Sequence, residues 1–241
     1  MAYGKVFSDI YNESARDTGD TTPGHITYVK KKVNDALREI CNTMRYSWLQ
    51  READIALVAS QQYVNMSDVA ADWDEDMPCI VFYRDSANCR QALDQYDDNE
   101  WDMEEDVDEG DVYGFHITKK SGVWRALFTL VPDSNFVSDY SPLKMEYQKK
   151  PTEMSGDNDV PEIPSGHHQA LVYKTNQLIC AETDDDAGFL KWDSLASKAL
   201  GLLKRRQVHR LGRPKRAYPR ACVTTAGSAH KVTDYNKHVQ H

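Results

Sequence analysis

From Ile26 to Met44, apolar side chains return at Ile26, Val29, Val33, Leu37, Ile40 and Met44. That three-and-four spacing gives a helix one apolar stripe, with Lys30, Lys31, Lys32, Asn34, Asp35 and Arg38 on its other side. Thr21, Thr22, Pro23 and Gly24 suit its start. The residues before it, rich in Asp, Gly, Thr and Ser, read as a loose arm over 1–24, with Val6, Phe7, Ile10 and Tyr11 able to dock on a neighbour. Beyond the helix the period shortens. Residues 53–58, 61–66 and 79–84 alternate or cluster as strands, and Asp85, Ser86 and Asn88 offer caps for a short helix carrying Cys89, Leu93 and Tyr96.

Ten acids and no base fall between Asp97 and Asp111, a density whose self-repulsion predicts an extended, solvated loop. Residues 112–118 and 123–131, joined by Lys119-Lys120-Ser121-Gly122, predict a hairpin, and 143–149 predicts a further strand halted by Pro151. Thr152 to Pro164 is a linker by composition. After it, Ser165 can open a helix whose apolar face is Leu171, Val172, Thr175, Leu178 and Ile179. A second helix runs from Asp185 or Asp186 through Phe189, Trp192, Leu195, Ala196, Ala199, Leu200 and Leu203 to Lys204-Arg205-Arg206, cations that suit a helix C-terminus. The predicted class is α+β. Residues 25–49 and 160–207 form a helical bundle, 50–152 a β-rich insertion, and 208–241 an extended basic C-terminal tail.

Composition narrows the function more than it identifies it. Of 241 residues, 40% are apolar, and no apolar run approaches the length of a membrane span, nor does the start of the chain carry a signal segment. The expectation is a protein without membrane attachment. Five scattered cysteines without a Cys-x-x-Cys pair argue against a disulfide framework or zinc knuckle and for a reducing compartment. Nucleotide-binding glycine loops, the Gly-x-Ser-x-Gly elbow and His-Glu-x-x-His are missing, so no catalytic, cofactor or metal residues are assigned. His167 and His168, adjacent on a helix, point about 100° apart and suit packing better than shared ligation. Asp184-Asp185-Asp186 lacks calcium-loop spacing and reads as a helix cap. Trp124 and Trp192 fall on apolar faces; Trp101, among acids, is equally compatible with local packing and with partner contact.

Charge is segregated. After Leu203, ten basic residues face one acid, giving this end +9, so the other 203 residues carry −18 of a formal total of −9. A block of like charge gains most on meeting an oppositely charged surface, which suggests that body and tail have different partners; a merely solubilising tail is the plain alternative.

The order of these features resembles a known family. The N-terminal amphipathic helix is followed by Trp48-Leu49-Gln50-Arg51-Glu52, a β region, the phrase Leu143 to Pro151, then Pro161-Glu162-Ile163-Pro164-Ser165-Gly166-His167-His168 and a helix pair. Over roughly residues 25 to 207 this is similar to the head-to-tail adaptor (connector) proteins of tailed bacteriophages. The resemblance implies a non-enzymatic homo-oligomeric ring, usually of twelve subunits. Its partners would be the portal protein above, a tail or neck protein below, and double-stranded DNA passing without specific binding. It also implies a place at the head-tail junction of the virion, and in the host cytoplasm during assembly. Under that expectation the portal-binding candidates are Arg205, Arg206, Arg210, Arg213, Lys215, Arg216, Tyr218 and Arg220. The acidic candidates to line the channel are Asp97, Asp98, Glu100, Asp102, Glu104, Glu105, Asp106, Asp108, Glu109 and Asp111. An alternative makes the basic arm a nucleic-acid binder on a structural virion protein, since the same cations suit phosphates. A small metal-dependent hydrolase using the acids is the least supported class.

Overall fold

The structure is a computed structural model and describes residues 4–98 and 108–210. Its first helix corrects the loose-arm reading. Phe7, Ile10, Tyr11, Ser14 and Ala15 repeat at helical spacing, and α1 (Phe7–Asp17) buries all five. The sequence disguised it because its cap is unusual: Asp9 reaches back to the Val6 N–H at 3.2 Å. Two further N–H groups of its first turn, on Phe7 and Ser8, are taken by the carbonyls of Asp159 and Asp157 at 2.7 and 3.0 Å.

Helix α2 (Pro23–Cys41) begins where Thr22 accepts from the His25 N–H and Pro23 occupies the first turn, where a missing N–H costs nothing. It buries Val29, Val33, Ala36, Leu37, Ile40 and Cys41.

The strands then make two four-stranded sheets. The first, in the order β1 (Gln50–Ile55), β10 (Leu143–Gln148), β3 (Ile80–Arg84), β4 (Arg90–Ala92), is antiparallel throughout. Alternation sets its register: Leu143, Met145 and Tyr147 of β10 face the core, while Lys144 and Glu146 face outward and pair with Asp54 of β1 and Arg90 of β4. The second sheet runs β2 (Tyr63–Asn65), β8 (Val123–Phe128), β7 (Gly114–Lys120), β5 (Asp94–Tyr96), with β5 parallel to β7. The β7–β8 hairpin turns on Ser121 and Gly122, both at positive φ (52° and 82°), which suits a tight two-residue connection. A one-turn helix, α3 (Met66–Val69), follows β2. The short strands β6 (Glu109–Gly110) and β9 (Val131–Pro132) pair with each other, and α4 (Ser134–Tyr140), capped by Asp133, was not foreseen.

The helix expected near Cys89 is instead β4 and β5. Asp85 does use its carboxylate as a cap, but it accepts from the N–H groups of Ala87 and Cys89 within a turn, and Asn88 sits at φ 59°, which folds the chain back into a hairpin. Likewise the 97–111 loop is not wholly irregular, since Glu109 and Gly110 form β6.

Residues 152–164 have no helix or strand, yet they are no free linker: Met154 and Ile163 are buried in the helical core, and Asn34 brackets Met154 through its backbone N–H and C=O, both at 3.0 Å. After a 3-10 turn at Ser165–His167 come α5 (His168–Glu182) and α6 (Asp186–Arg210), the latter capped by Asp185, which accepts from the Gly188 N–H at 2.9 Å. The helical bundle expected from 25–49 and 160–207 therefore gains α1 as a further member. Its core joins Phe7, Ile10, Val33, Leu37, Leu171 and Ile179, while a separate core inside the β part joins Ile55, Phe115, Phe128, Phe136, Leu143 and Met145. No described helix is long and apolar enough to cross a membrane.

Candidate interaction surfaces

Two charged regions anticipated from sequence hang on well-anchored roots. The basic root is the end of α6. Trp192, Ala196 and Leu203 are buried, and Trp192 stacks on Tyr173 of α5 with ring centroids 6.0 Å apart, so the helix is fixed along this side. Past Leu203 it carries Lys204, Arg205 and Arg206 outward, all exposed, at the helix end where the dipole favours cations. None of the three has a carboxylate partner among the described residues. Arg206 instead lies 3.3 Å from His167 Nε2, and burial, together with the charges of Arg206 and His168, holds that imidazole below its ordinary pKa. Arg210 is the last residue of α6. Arg213, Lys215, Arg216, Tyr218 and Arg220 lie outside the described residues.

The acidic root is formed by β5 and β6. Asp97 and Asp98 leave β5, and Asp108, Glu109 and Asp111 bring the chain back; Glu100, Asp102, Glu104, Glu105 and Asp106, with Trp101, lie outside the described residues. His116 of β7, only 5% exposed, fastens the departing strand: one ring nitrogen lies 3.2 Å from the Tyr96 carbonyl and the other 3.1 Å from Asp98 Oδ1. Glu109 accepts from the Ser60 hydroxyl at 2.8 Å on the returning side. In sequence His116 is a strand residue without an assigned role. A lone histidine among Phe115 and Ile117 was the signal available, and only its neighbours across the sheet give it meaning.

His168, expected to pack between elements, does so: Nδ1 lies 2.9 Å from the Lys5 carbonyl and Nε2 2.7 Å from that of Ile163, tying the N-terminal segment and the 152–164 stretch to α5. Gly4 fits beside it because a Cβ there would come within 2.9 Å of the His168 ring. Trp192 is buried as expected, and Trp124, half-buried, meets Trp73 edge-on at 5.8 Å.

A groove of about 580 Å³ between α2 and α5 is lined by Lys32, Asp35, Arg38, Glu39 and Glu182. Its charges are spent on one another: Lys32 pairs with Glu182 and lies 3.6 Å from Asp35, which in turn lies 3.5 Å from Arg38. The described residues hold no group of three or more His, Cys, Asp or Glu side chains placed to share a metal ion. What the geometry presents is therefore two oppositely charged surfaces on a rigid scaffold, suited to contacts between macromolecules.

Among curated proteins nothing matches the chain. A family model described as SU10 adaptor protein matches residues 6–218, which takes in α1, both sheets, the helix pair and the first part of the basic extension. The chain thus belongs to the SU10 adaptor protein family, and is a phage head-tail adaptor.

Proposed function

We propose that copies of this chain close into a dodecameric ring beneath the portal, join the capsid to the tail component below, and leave an axial passage for double-stranded DNA. The role is structural, in the virion and during its assembly in the host cytoplasm. The observation that carries the reading is the end of α6, where exposed Lys204, Arg205 and Arg206 lack carboxylate partners among the described residues and lead into a strongly basic extension. Guanidinium groups pair bidentately with carboxylates, so an acidic portal surface is the partner this segment suits, through Arg205, Arg206, Arg210, Arg213, Lys215, Arg216 and Arg220, with Tyr218 adding apolar contact. Repetition around a ring converts several weak contacts per subunit into firm attachment. The acids of 97–106 would face the passage, where they repel phosphate and leave DNA free to slide.

Deleting residues 208–241 tests the tether. The truncated chain should stay folded, by circular dichroism and thermal melting, and lose sedimentation with isolated portal rings. Undiminished docking contradicts the reading, and salt-dependent binding of the extension to random duplex DNA without portal binding replaces it with the nucleic-acid arm.

A further inference from the structure

Helix α6 is anchored on one side only. On its outer side Lys191 and Lys198 stand seven residues apart, in one row along the helix, and neither has a carboxylate partner among the described residues, Lys191 Nζ lying 4.2 Å from the Trp192 ring centroid. Leu190 and Leu202 flank the row at 68% and 60% exposure, and a Cβ at Gly201 would meet nothing within 4 Å. A helix face with two bare leucines and cations that meet no carboxylate lacks a partner among the described residues.

A surface of opposite character lies at one end of the β part. There the 56–62 loop meets β6 and β9, with the Ser60 N–H donating to the Pro132 carbonyl at 3.1 Å and the Ser60 hydroxyl to Glu109. Asp108, Glu109 and Asp111 are exposed with no cationic partner among the described residues, beside Val58 and Tyr113 at 56% and 47% exposure. Of the six large apolar side chains exposed among the described residues, four lie on these two faces. Two cations without a carboxylate partner, beside two apolar side chains, thus match three carboxylates without a cationic partner, beside two apolar side chains.

We infer that the outer face of α6 seats against the Val58–Tyr113 end of a second copy of this chain. Every copy carries one face of each kind, so the contact is head-to-tail and propagates from copy to copy, closing into a ring where the rotation allows. Residues bearing apolar and charged groups together give both the buried area and the orientation such a contact needs. This inference rests on the ring proposed above and assigns the surfaces that build it.

Charge reversal in the full chain tests it, with assembly read by mass photometry and sedimentation. Lys191→Glu with Lys198→Glu makes one face acidic; Glu109→Lys with Asp111→Lys makes the other basic. Each double variant alone should associate at least about tenfold more weakly than the parent chain. A one-to-one mixture of the two should recover assembly, because each altered face then meets a complementary one. Recovery on mixing also shows that both variants fold. Parental assembly by the Lys191→Glu/Lys198→Glu variant, or failure of the mixture to recover, overturns the face assignment and leaves the ring standing. A parent chain that remains monomeric both alone and with portal rings overturns the ring itself.

Discussion

The side-chain amide of Gln148, at the end of β10, donates from Nε2 to the backbone carbonyl of Cys41, the last residue of α2, at 3.0 Å. The same amide accepts from the Tyr46 N–H at 2.9 Å, and Gln148 is wholly buried. One side chain therefore links the helical body to the first sheet and satisfies both backbone groups at the turn between them. Gln148→Leu keeps the volume and strands a donor and an acceptor. Denaturant unfolding should show a loss of about 2–6 kcal/mol, from about 1–3 kcal/mol for each buried group left unpaired. A loss below about 0.5 kcal/mol, the range of ordinary surface substitutions, contradicts this role.

Helix α1 is part of the core. Phe7 is 1% exposed, packs edge-on to Tyr11 with ring centroids 5.2 Å apart, and belongs to the same cluster as Val33 and Leu171. Phe7→Ala should cost about 3–5 kcal/mol in a single cooperative transition. Were the first residues a loose arm, the midpoint would not move.

Burial pushes the Cys41 thiol up to about 12 and that of Cys79 up to about 11, and raises Cys180 as well. The thiolate is the reactive species, and at pH 8 about one part in ten thousand of Cys41 and one in a thousand of Cys79 is in that form. Native protein treated with iodoacetamide should leave Cys41 and Cys79 unmodified, and denaturant should expose both, as read by peptide mass spectrometry. Rapid native labelling of Cys41 would show that the joint beside Gln148 opens.

Two aspartates should give stability opposite dependences on pH. Asp157 accepts from Lys30 Nζ and the Tyr11 hydroxyl, both at 2.9 Å, and these bonds hold it below the ordinary carboxylate pKa. Its contribution is present above the pKa of the unfolded chain and is lost as pH falls through the lowered folded value. Protection of α1 amides in hydrogen exchange should therefore decline on acidification, and less so in Asp157→Asn, which starts lower. Asp74 is 3% exposed, and desolvation raises its pKa. Stability linked to it is greatest below the unfolded pKa and falls as pH rises through the folded one. Asp74→Asn, which can still accept from the Asp76 N–H, should raise the urea midpoint at pH 7 and leave it unchanged at low pH. A destabilised variant at pH 7 contradicts this.

Where one residue's pattern answered to one element, the sequence was legible. Val29, Val33, Leu37 and Ile40 marked α2, Leu143, Met145 and Tyr147 marked an alternating strand, and Ser121-Gly122 marked a hairpin; all three stand in the structure. Misreadings came where a local signal served two ends. Asp85 caps a turn as well as it caps a helix, and of the apolar residues that follow, Leu93 joins β4 to β5 and Tyr96 ends β5. Helix α1 was hidden because polar Ser8, Asp9, Asn12 and Glu13 dominate its composition, while the partners that make it a core helix, in α2 and α5, are distant in sequence. The interaction surfaces were legible as charge alone. Lys191 and Lys198 form a row only once α6 is known to bury its other side, and His116 acquires a role only once Asp98 and Tyr96 are beside it.

The most direct measurement of the central claim is a cryo-electron microscopy reconstruction of the full chain bound to its portal. The expected map is a closed ring of copies, with residues 204–220 laid against a carboxylate-rich portal surface and residues 97–106 turned toward the passage. A map in which the basic extension projects into solvent away from the portal, or follows a DNA duplex, contradicts it.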